Sequence, residues 1–232
     1  MCRLLALASA GALNTMEWFN ALRRAAEHDT LLERLTGSAQ HGDGWGFAAL
    51  AADRLIFYKS PLPMWVDPLL ESLAATISFP AALVAHARKA SAGMPLGVGA
   101  AHPFPVQLSN GSLMFVVQNG GVEVDRLLNL VGPLALPDNV DSFIYAVALA
   151  RYLERVGELA QGLSELHRDM EKAGCVRGMA NTAVLLVRRS GNEWKAEVGI
   201  VRHVVSHRLA AYGEIYVAEQ EGFLAAFSST LA

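Results

Sequence analysis

From Leu4 to Ala8 the chain is unbroken apolar sequence, and residues 3–9 read as a strand buried on both faces. The period then changes. Met16, Phe19 and Leu22 recur at helical spacing behind Asn14, a residue suited to cap a helix, and Thr30 with Glu33 has the form of a capping box ahead of a short turn carrying Leu31, Leu32 and Leu35. Two apolar runs, 47–50 and 55–58, flank Ala52-Asp53 as the arms of a hairpin, and further strands are expected at 82–88 and 113–118. Phe143, Ala146, Val147, Ala150 and Leu153 return to helical spacing, as do Leu163, Leu166, Met170 and Ala173, which predicts two consecutive helices over 139–174. A second hairpin follows, with Ala183 to Val187 as a buried arm, Ser190-Gly191-Asn192 as its turn, and Trp194, Ala196, Val198 and Ile200 alternating on the return. Weaker strands at 214–218 and 222–227 close the pattern. No internal repeat, low-complexity stretch or linker interrupts it, so a single compact α+β domain over residues 1–232, with strands outnumbering helices, is expected.

Composition narrows the partners. With 53% hydrophobic and 18% charged residues there is ample material for a core, and a formal charge of −3 gives no electrostatic ground for binding nucleic acid or an anionic membrane. Two cysteines are too few to staple a secreted domain, which places the protein in a reducing, cytoplasmic setting. The opening apolar run is too short for an export signal, and no uninterrupted stretch reaches the roughly 18 residues of a membrane helix.

The position of one of those cysteines carries chemistry. Cys2 follows Met1, and its side chain is small enough for methionine aminopeptidase to clear Met1. The residue left would hold a thiol and a free α-amine, a nucleophile with its own general base. A free thiol of pKa near 8.5 is only a few per cent ionised at neutral pH, and an amine of pKa about 8 can take its proton. By itself Cys2 reads equally as a small hydrophobe in a buried strand.

Four further stretches bear on that choice. In QHGDGWGFA, residues 40–48, Gly42, Gly44 and Gly46 imply close backbone approach; no Lys-Ser or Lys-Thr follows, so this is not a phosphate loop. AHARKAS, residues 85–91, sets Arg88 at the end of an apolar strand, where its fork fits a substrate carboxylate or simply closes the strand at the surface. AHPFP, residues 101–105, puts His102 beside two prolines, the form of a rigid bend. In FVVQNGGV, residues 115–122, a strand delivers Asn119 and Gly120 to a turn, where a side-chain amide and an unhindered N–H can point at one oxygen as an oxyanion hole does; Asn-Gly is also a common hairpin turn. His41, Asp43, His86 and His102 lack the compact spacing of metal ligands, and Cys175 reads as buried filler near a helix end, so neither metal nor cofactor is expected.

In this order the elements resemble the class II glutamine amidotransferases, which are N-terminal nucleophile hydrolases, and more closely the small stand-alone branch whose chains begin Met-Cys-Arg and carry His-x-Asp-Gly-Trp-Gly. The match covers the opening strand, 41–48, 86–91, 102–104 and 119–120, with a thinner match in Asp141-Ser142. The resemblance implies a four-layer αββα sandwich of two mainly antiparallel sheets. It implies that Cys2, freed of Met1, attacks the side-chain amide of glutamine, that Asn119 and Gly120 hold the oxyanion, and that Arg88 grips the α-carboxylate. Asp141, ahead of Asp125 and Asp138, would receive the α-ammonium, although an acidic residue opening a helix is favourable through the helix dipole in any case. Gly44 and Trp45 would line the pocket with backbone groups, and His102 would join the substrate-binding set.

Three departures leave the substrate open. Gln118 stands where many relatives have His, Ala100-Ala101 precede His102-Pro103-Phe104 in place of Asn-Thr, and Phe143 replaces an acidic residue after Asp141-Ser142. The substrate is then glutamine or a γ-glutamyl amide of a larger molecule. Because that domain consumes all 232 residues, an ammonia acceptor would be a separate subunit, or the chain is an amidohydrolase. If Met1 stays attached the base is lost, and the alternative is a catalytically silent domain binding a small amide or a partner protein.

Overall fold

The computed structural model describes residues 1–133 and 140–231, and alternation along its strands decides how the layers stack. One sheet contains β1 (Arg3–Ser9), β2 (Trp45–Ala51), β3 (Arg54–Ser60), β4 (Ala81–Ala87), β9 (Ile215–Gln220) and β10 (Phe223–Ser228), in the order β3-β2-β4-β1-β10-β9. The other contains β5 (Phe104–Gln107), β6 (Leu113–Val122), β7 (Val176–Ser190) and β8 (Glu193–Val201), in that order. All the pairings are antiparallel. The helices are α1 (Thr15–Glu27), α2 (Thr30–Thr36), α3 (Leu70–Ala75), α4 (Val124–Val131), α5 (Asp141–Val156) and α6 (Leu159–Lys172).

Even-numbered residues of β1, β2 and β4 turn toward the second sheet: Leu4, Ala6, Ala48, Leu50 and Val84 meet Phe115, Val117, Ala183 and Leu185 in a buried layer between the sheets. Their odd-numbered neighbours Leu5, Leu7, Phe47 and Leu83 face outward, under Phe19 and Leu22 of α1 and Leu70 of α3. Met114, Val116, Val184 and Leu186 do the same for the second sheet, under α4, α5 and α6. The result is the four-layer αββα sandwich of two antiparallel sheets. Among the described residues no helix is long and apolar enough to cross a membrane.

The first hairpin, the opening strand and the two closing strands stand within two residues of their expected places, the first arm of the second hairpin is longer than expected and begins at Val176, and α5 and α6 are separated by Gly157 in the left-handed conformation. Asn139, the expected start of the first of these helices, and Asp138 lie outside the described residues. Two expectations are corrected. The cap of α2 is Asp29, whose Oδ1 accepts from the Leu31 and Leu32 N–H groups at 3.0 Å each, so Thr30 is the first helical residue rather than a capping-box N-cap. The strand expected over 113–118 continues to Val122 and carries Asn119-Gly120 within the sheet, opposite Asn181 and Ala180. Pairing with the long β7 overrides the local turn preference, and a bulge between Gly120 and Val122 absorbs the mismatch. The short helices α3 and α4 were too brief to register as periodic pattern.

Under α5 lies a buried polar chain. Tyr145 Oη is 2.7 Å from His167 Nε2, His167 Nδ1 is 2.8 Å from His203 Nδ1, and His203 Nε2 faces the Glu171 carboxylate at 3.8 Å. One proton arrangement serves each contact: His203 turns Nε2–H to Glu171, accepts from His167 Nδ1–H, and His167 accepts the tyrosine hydroxyl. Burial, with the neighbouring His203 adding to it, pushes His167 down to about 3. Below its ordinary value of 6.5 the unfolded chain therefore protonates His167 while the folded one does not until about pH 3. Stability from this residue is lost as pH falls through that window, at roughly 1.4 kcal/mol per pH unit. Urea unfolding of wild type and His167→Gln between pH 7 and pH 4 is expected to show the wild-type advantage shrinking with each step down; a constant difference would mean His167 is not held neutral.

Candidate active site

Cys2 precedes β1 in the same parity as Leu4, so its side chain turns into the layer between the sheets, where it is 7% exposed. Arg3 pairs with Ala87 across β1 and β4, which brings the chain leaving β4 directly past the thiol. The Lys89 N–H donates to Cys2 Sγ at 3.4 Å, and the Lys89 carbonyl oxygen lies 3.7 Å from the sulfur and accepts from the Met1 ammonium at 3.1 Å. From the second sheet, Asn119 Oδ1 accepts from the Cys2 N–H at 2.7 Å. The Tyr212 hydroxyl donates to the Cys2 carbonyl at 3.1 Å.

Cys2 and Lys89 border a cavity of about 180 Å³ whose walls also include Met1, Arg88, His102, Gly120 and Asp141; Asn119 is outside that wall, at the Cys2 nitrogen. Asn119 Nδ2 is buried with no partner among the described residues, which leaves a free donor on the side chain that holds the Cys2 nitrogen. Gly120 has φ of +141°, and a Cβ there would stand 1.9 Å from the Met179 carbonyl oxygen, so only glycine allows this close crossing of β6 and β7. Arg88 is 4% exposed; its Nη1 has no partner and no carboxylate approaches it among the described residues. Its backbone is clipped on both sides, its N–H donating to the Gly44 carbonyl at 2.8 Å and its carbonyl accepting from the Asp43 N–H at 3.0 Å. Asp141 opens α5, with Oδ2 accepting from the Val122 N–H at 3.3 Å and from half-exposed Arg177 at 3.2 Å.

His102 reaches the cavity wall, with both ring nitrogens unpartnered among the described residues and its ring centroid 4.1 Å from that of His86. Burial first, then the charges of His86, Arg88 and Lys59, holds it well below its usual range. Gly44 and Trp45 are not in the wall, which corrects their expected place. Trp45 points to the outer face of its sheet, among Phe19, Phe47 and Tyr58, and its indole N–H donates to Asp67 at 2.9 Å. Gly44 acts one step away, through its carbonyl bond to Arg88 and through φ of +106° in a place where a Cβ would meet the Ser60 carbonyl at 2.7 Å. Asp125 lies in the first turn of α4, away from the wall.

Several participants were not singled out as such. His86 Nε2 is 3.1 Å from the Gln118 carbonyl oxygen and stands in the same parity as Arg88. Gln118 lines the cavity with both amide atoms unpartnered among the described residues. Asp43 accepts the Ala90 N–H at 2.8 Å and so fixes the segment that contacts the sulfur. His41 belongs to a fully buried group with Asp29 and Arg3 behind Cys2. Among the described residues no three His, Cys, Asp or Glu side chains converge as a metal set. A larger, open groove of about 490 Å³ lies at the far ends of the same strands, against Ser9, Ala52, Ala81 and Trp194, and has neither cysteine nor histidine in its wall.

Burial is the largest influence on the Cys2 thiol and would raise its pKa. The Met1 ammonium, the neighbouring His86 and the Lys89 N–H together outweigh it, and the thiol falls from 9.0 to about 5. Cys175 is raised by burial instead. Iodoacetamide labelling of the Met1-bearing protein, followed by mass spectrometry against pH, is expected to modify Cys2 with a half-point near pH 5 and to leave Cys175 unmodified at neutral pH. A half-point near 9 would show the thiol to be ordinary.

No protein-family model and no curated protein matches the sequence. Solved structures do match the fold. The allosteric regulatory enzyme of purine biosynthesis aligns over 98% of this chain and 42% of its own, with a TM-score of 0.60 and 13% identity. The glutamine phosphoribosylpyrophosphate amidotransferase of B. subtilis aligns over 97% of this chain and 41% of its own, with a TM-score of 0.56 and 10% identity. A glutamine aminotransferase class-II domain protein from Silicibacter pomeroyi aligns over 98% and 88%, with a TM-score of 0.51 and 17% identity. The chain thus spans about two fifths of the first two proteins and most of the third. At these identities the likeness is one of architecture: the chain shares the fold of these three proteins.

Proposed function

We propose that the protein is a glutamine amidotransferase-like amidohydrolase, with Cys2 as its nucleophile once Met1 is removed. The observation that carries this reading is the pairing at Asn119: Oδ1 holds the Cys2 nitrogen at 2.7 Å while Nδ2 of the same side chain is left as an unpartnered buried donor. The structural neighbours, a glutamine amidotransferase and a glutamine aminotransferase class-II domain protein, support the same chemistry.

In this mechanism the free α-amine takes the Sγ proton and the thiolate attacks the side-chain amide carbon of the substrate. The carbonyl π pair moves to oxygen, and Asn119 Nδ2–H and the Gly120 N–H stabilise the resulting oxyanion. As the tetrahedral intermediate collapses, the C–N bond breaks and ammonia leaves with the proton returned by the amine. The thioester on Cys2 is hydrolysed by water, which releases glutamate and restores the thiol. Arg88 orients the α-carboxylate, and Asp141, by exchanging its contact with Arg177, receives the α-ammonium. Released ammonia passes to a separate acceptor subunit or to solvent. While Met1 is attached the Cys2 nitrogen is an amide and the base is missing, so that form of the chain is limited to binding.

Intact mass of the purified protein before and after incubation with 6-diazo-5-oxo-norleucine tests the reading: loss of Met1 with a single adduct on Cys2 is expected, whereas retained Met1 without an adduct would point to a silent binding domain. Asn119→Ala in the processed protein should lower kcat by about 10²–10³-fold, because its donor acts on charge that develops in the transition state. An effect confined to KM would remove Asn119 from the oxyanion hole.

A further inference from the structure

Behind Cys2 lies a buried set that this mechanism leaves unused: His41, Asp29 and Arg3, all shielded from solvent. Asp29 commits both carboxylate oxygens, Oδ1 to the first turn of α2 and Oδ2 to Arg3 Nε at 2.5 Å and His41 Nε2 at 2.7 Å. A carboxylate only accepts, so the His41 Nε2 that faces it carries a hydrogen. Burial, the largest influence, keeps His41 below its usual pKa despite Asp29, and the imidazole is neutral with its lone pair on Nδ1. Yet Nδ1 stands 3.1 Å from the Met1 carbonyl oxygen, which also only accepts. Two lone pairs meet there unless the ring takes a second proton, which the Arg3 charge opposes. The Met1-bearing chain is mismatched at this one contact, and a group that donates would match it.

The geometry points to the terminal amine of Cys2 as that donor: His41, oriented by Asp29, accepts an N–H of the free amine through the one water that fits where the Met1 carbonyl oxygen lies, and is a positioning residue for the general base. The assignment rests on the function proposed above. Met1 O and Cys2 N belong to one peptide unit, so the place beside Nδ1 adjoins the nitrogen. A neutral amine has two hydrogens and one lone pair. Asn119 Oδ1, 2.7 Å away, takes one hydrogen, His41 Nδ1 takes the second through the water, and the lone pair is left for the Sγ proton. Transfer of that proton gives a thiolate and an ammonium and needs no other reactant. Other ionisable groups facing this corner are Arg3 and Tyr212, whose ring lies 3.9 Å under the Arg3 guanidinium, and His86 on the opposite side of the sulfur.

Protein whose loss of Met1 is verified by intact mass, labelled with ¹⁵N-histidine, reports the tautomer directly by NMR. At pH 7 His41 is expected with Nε2 protonated and Nδ1 bare; a protonated Nδ1 would overturn the assignment. In the same background, His41→Phe keeps ring volume without an acceptor and should lower kcat for glutamine by about 10²-fold with KM little changed. His41→Asn, which returns an oxygen near the Nδ1 position, should recover about tenfold of that loss. Equal losses in both variants, or a change confined to KM, would reduce His41 to a structural residue. Should either variant fail to fold, the tautomer decides alone. A wild-type protein that releases no ammonia from glutamine and takes no diazo label would sink the proposed function, a result separate from the protonation state of His41.

Discussion

The register of β1 against β4 is the constraint on which the rest of the site depends. Because Arg3 lies opposite Ala87 and Leu4 opposite His86, the chain reaches Cys2 just where the other strand runs out into Arg88 and Lys89. A slip of one residue in β4 would turn His86 and Arg88 from the layer between the sheets to the helical face, away from Cys2. Register is held from several directions. Alternating Leu4–Leu5 and Val84–Leu83 bury on opposite faces, the Ser228 hydroxyl accepts the Leu4 N–H at 3.0 Å, and Arg3, although charged, is fixed in the interior by Asp29 and the Tyr212 carbonyl. Removing either partner of that buried ion pair would leave the other uncompensated, so it acts as a lock on register more than as a source of net stability.

Burial of the Cys2 thiol creates an opposing demand, since desolvation disfavours the thiolate that the proposed chemistry requires. The fold answers with groups that favour the thiolate placed around one sulfur: the terminal ammonium, His86 and the Lys89 amide. It also leaves polar atoms unsatisfied. Asn119 Nδ2, Arg88 Nη1, both His102 nitrogens, both Gln118 amide atoms and His86 Nδ1 are buried without partners among the described residues, and they belong to the same neighbourhood. Each such atom costs about 1–3 kcal/mol when left unpaired, a cost that folding alone does not recover and that a bound polar ligand can offset. Their concentration separates this small cavity from the larger alanine-lined groove at the far ends of the strands, which offers volume with little chemistry.

Period was enough to read the buried strands, the two hairpins and the paired helices, because burial on one or both faces imposes a repeat over several residues. It was not enough at Asn119-Gly120, where local turn preference and long-range pairing with β7 disagree and pairing prevails. Cys2, Arg88, His102 and Asp141 could be picked out because each sits at the end of a strand or the start of a helix, where side chains meet a cavity. Trp45 misled because proximity to a glycine-rich loop says nothing of which face of β2 a side chain takes; its odd parity sends it outward to Asp67. His41 was invisible as a positioning group for a different reason. Its partners are residues 1, 3 and 29, brought together by a helix cap and a strand start that no spacing rule connects.

The same connections bear on what would hold Cys2 in place if Met1 were removed. Met1 holds the fold through its ammonium on the Lys89 carbonyl and through its own carbonyl at His41, the second of these being a contact between two acceptors. Cys2 is held independently, by Asn119 at its nitrogen, Lys89 at its sulfur and Tyr212 at its carbonyl. Excision of Met1 therefore removes one favourable contact and one mismatched one, and leaves the bonds that place Cys2 in force. The positive charge, in moving from the Met1 nitrogen to the Cys2 nitrogen, comes closer to the sulfur and keeps an acceptor already in position at Asn119 Oδ1. A terminus anchored from its second residue onward suits a reaction in which the new terminus is itself the base.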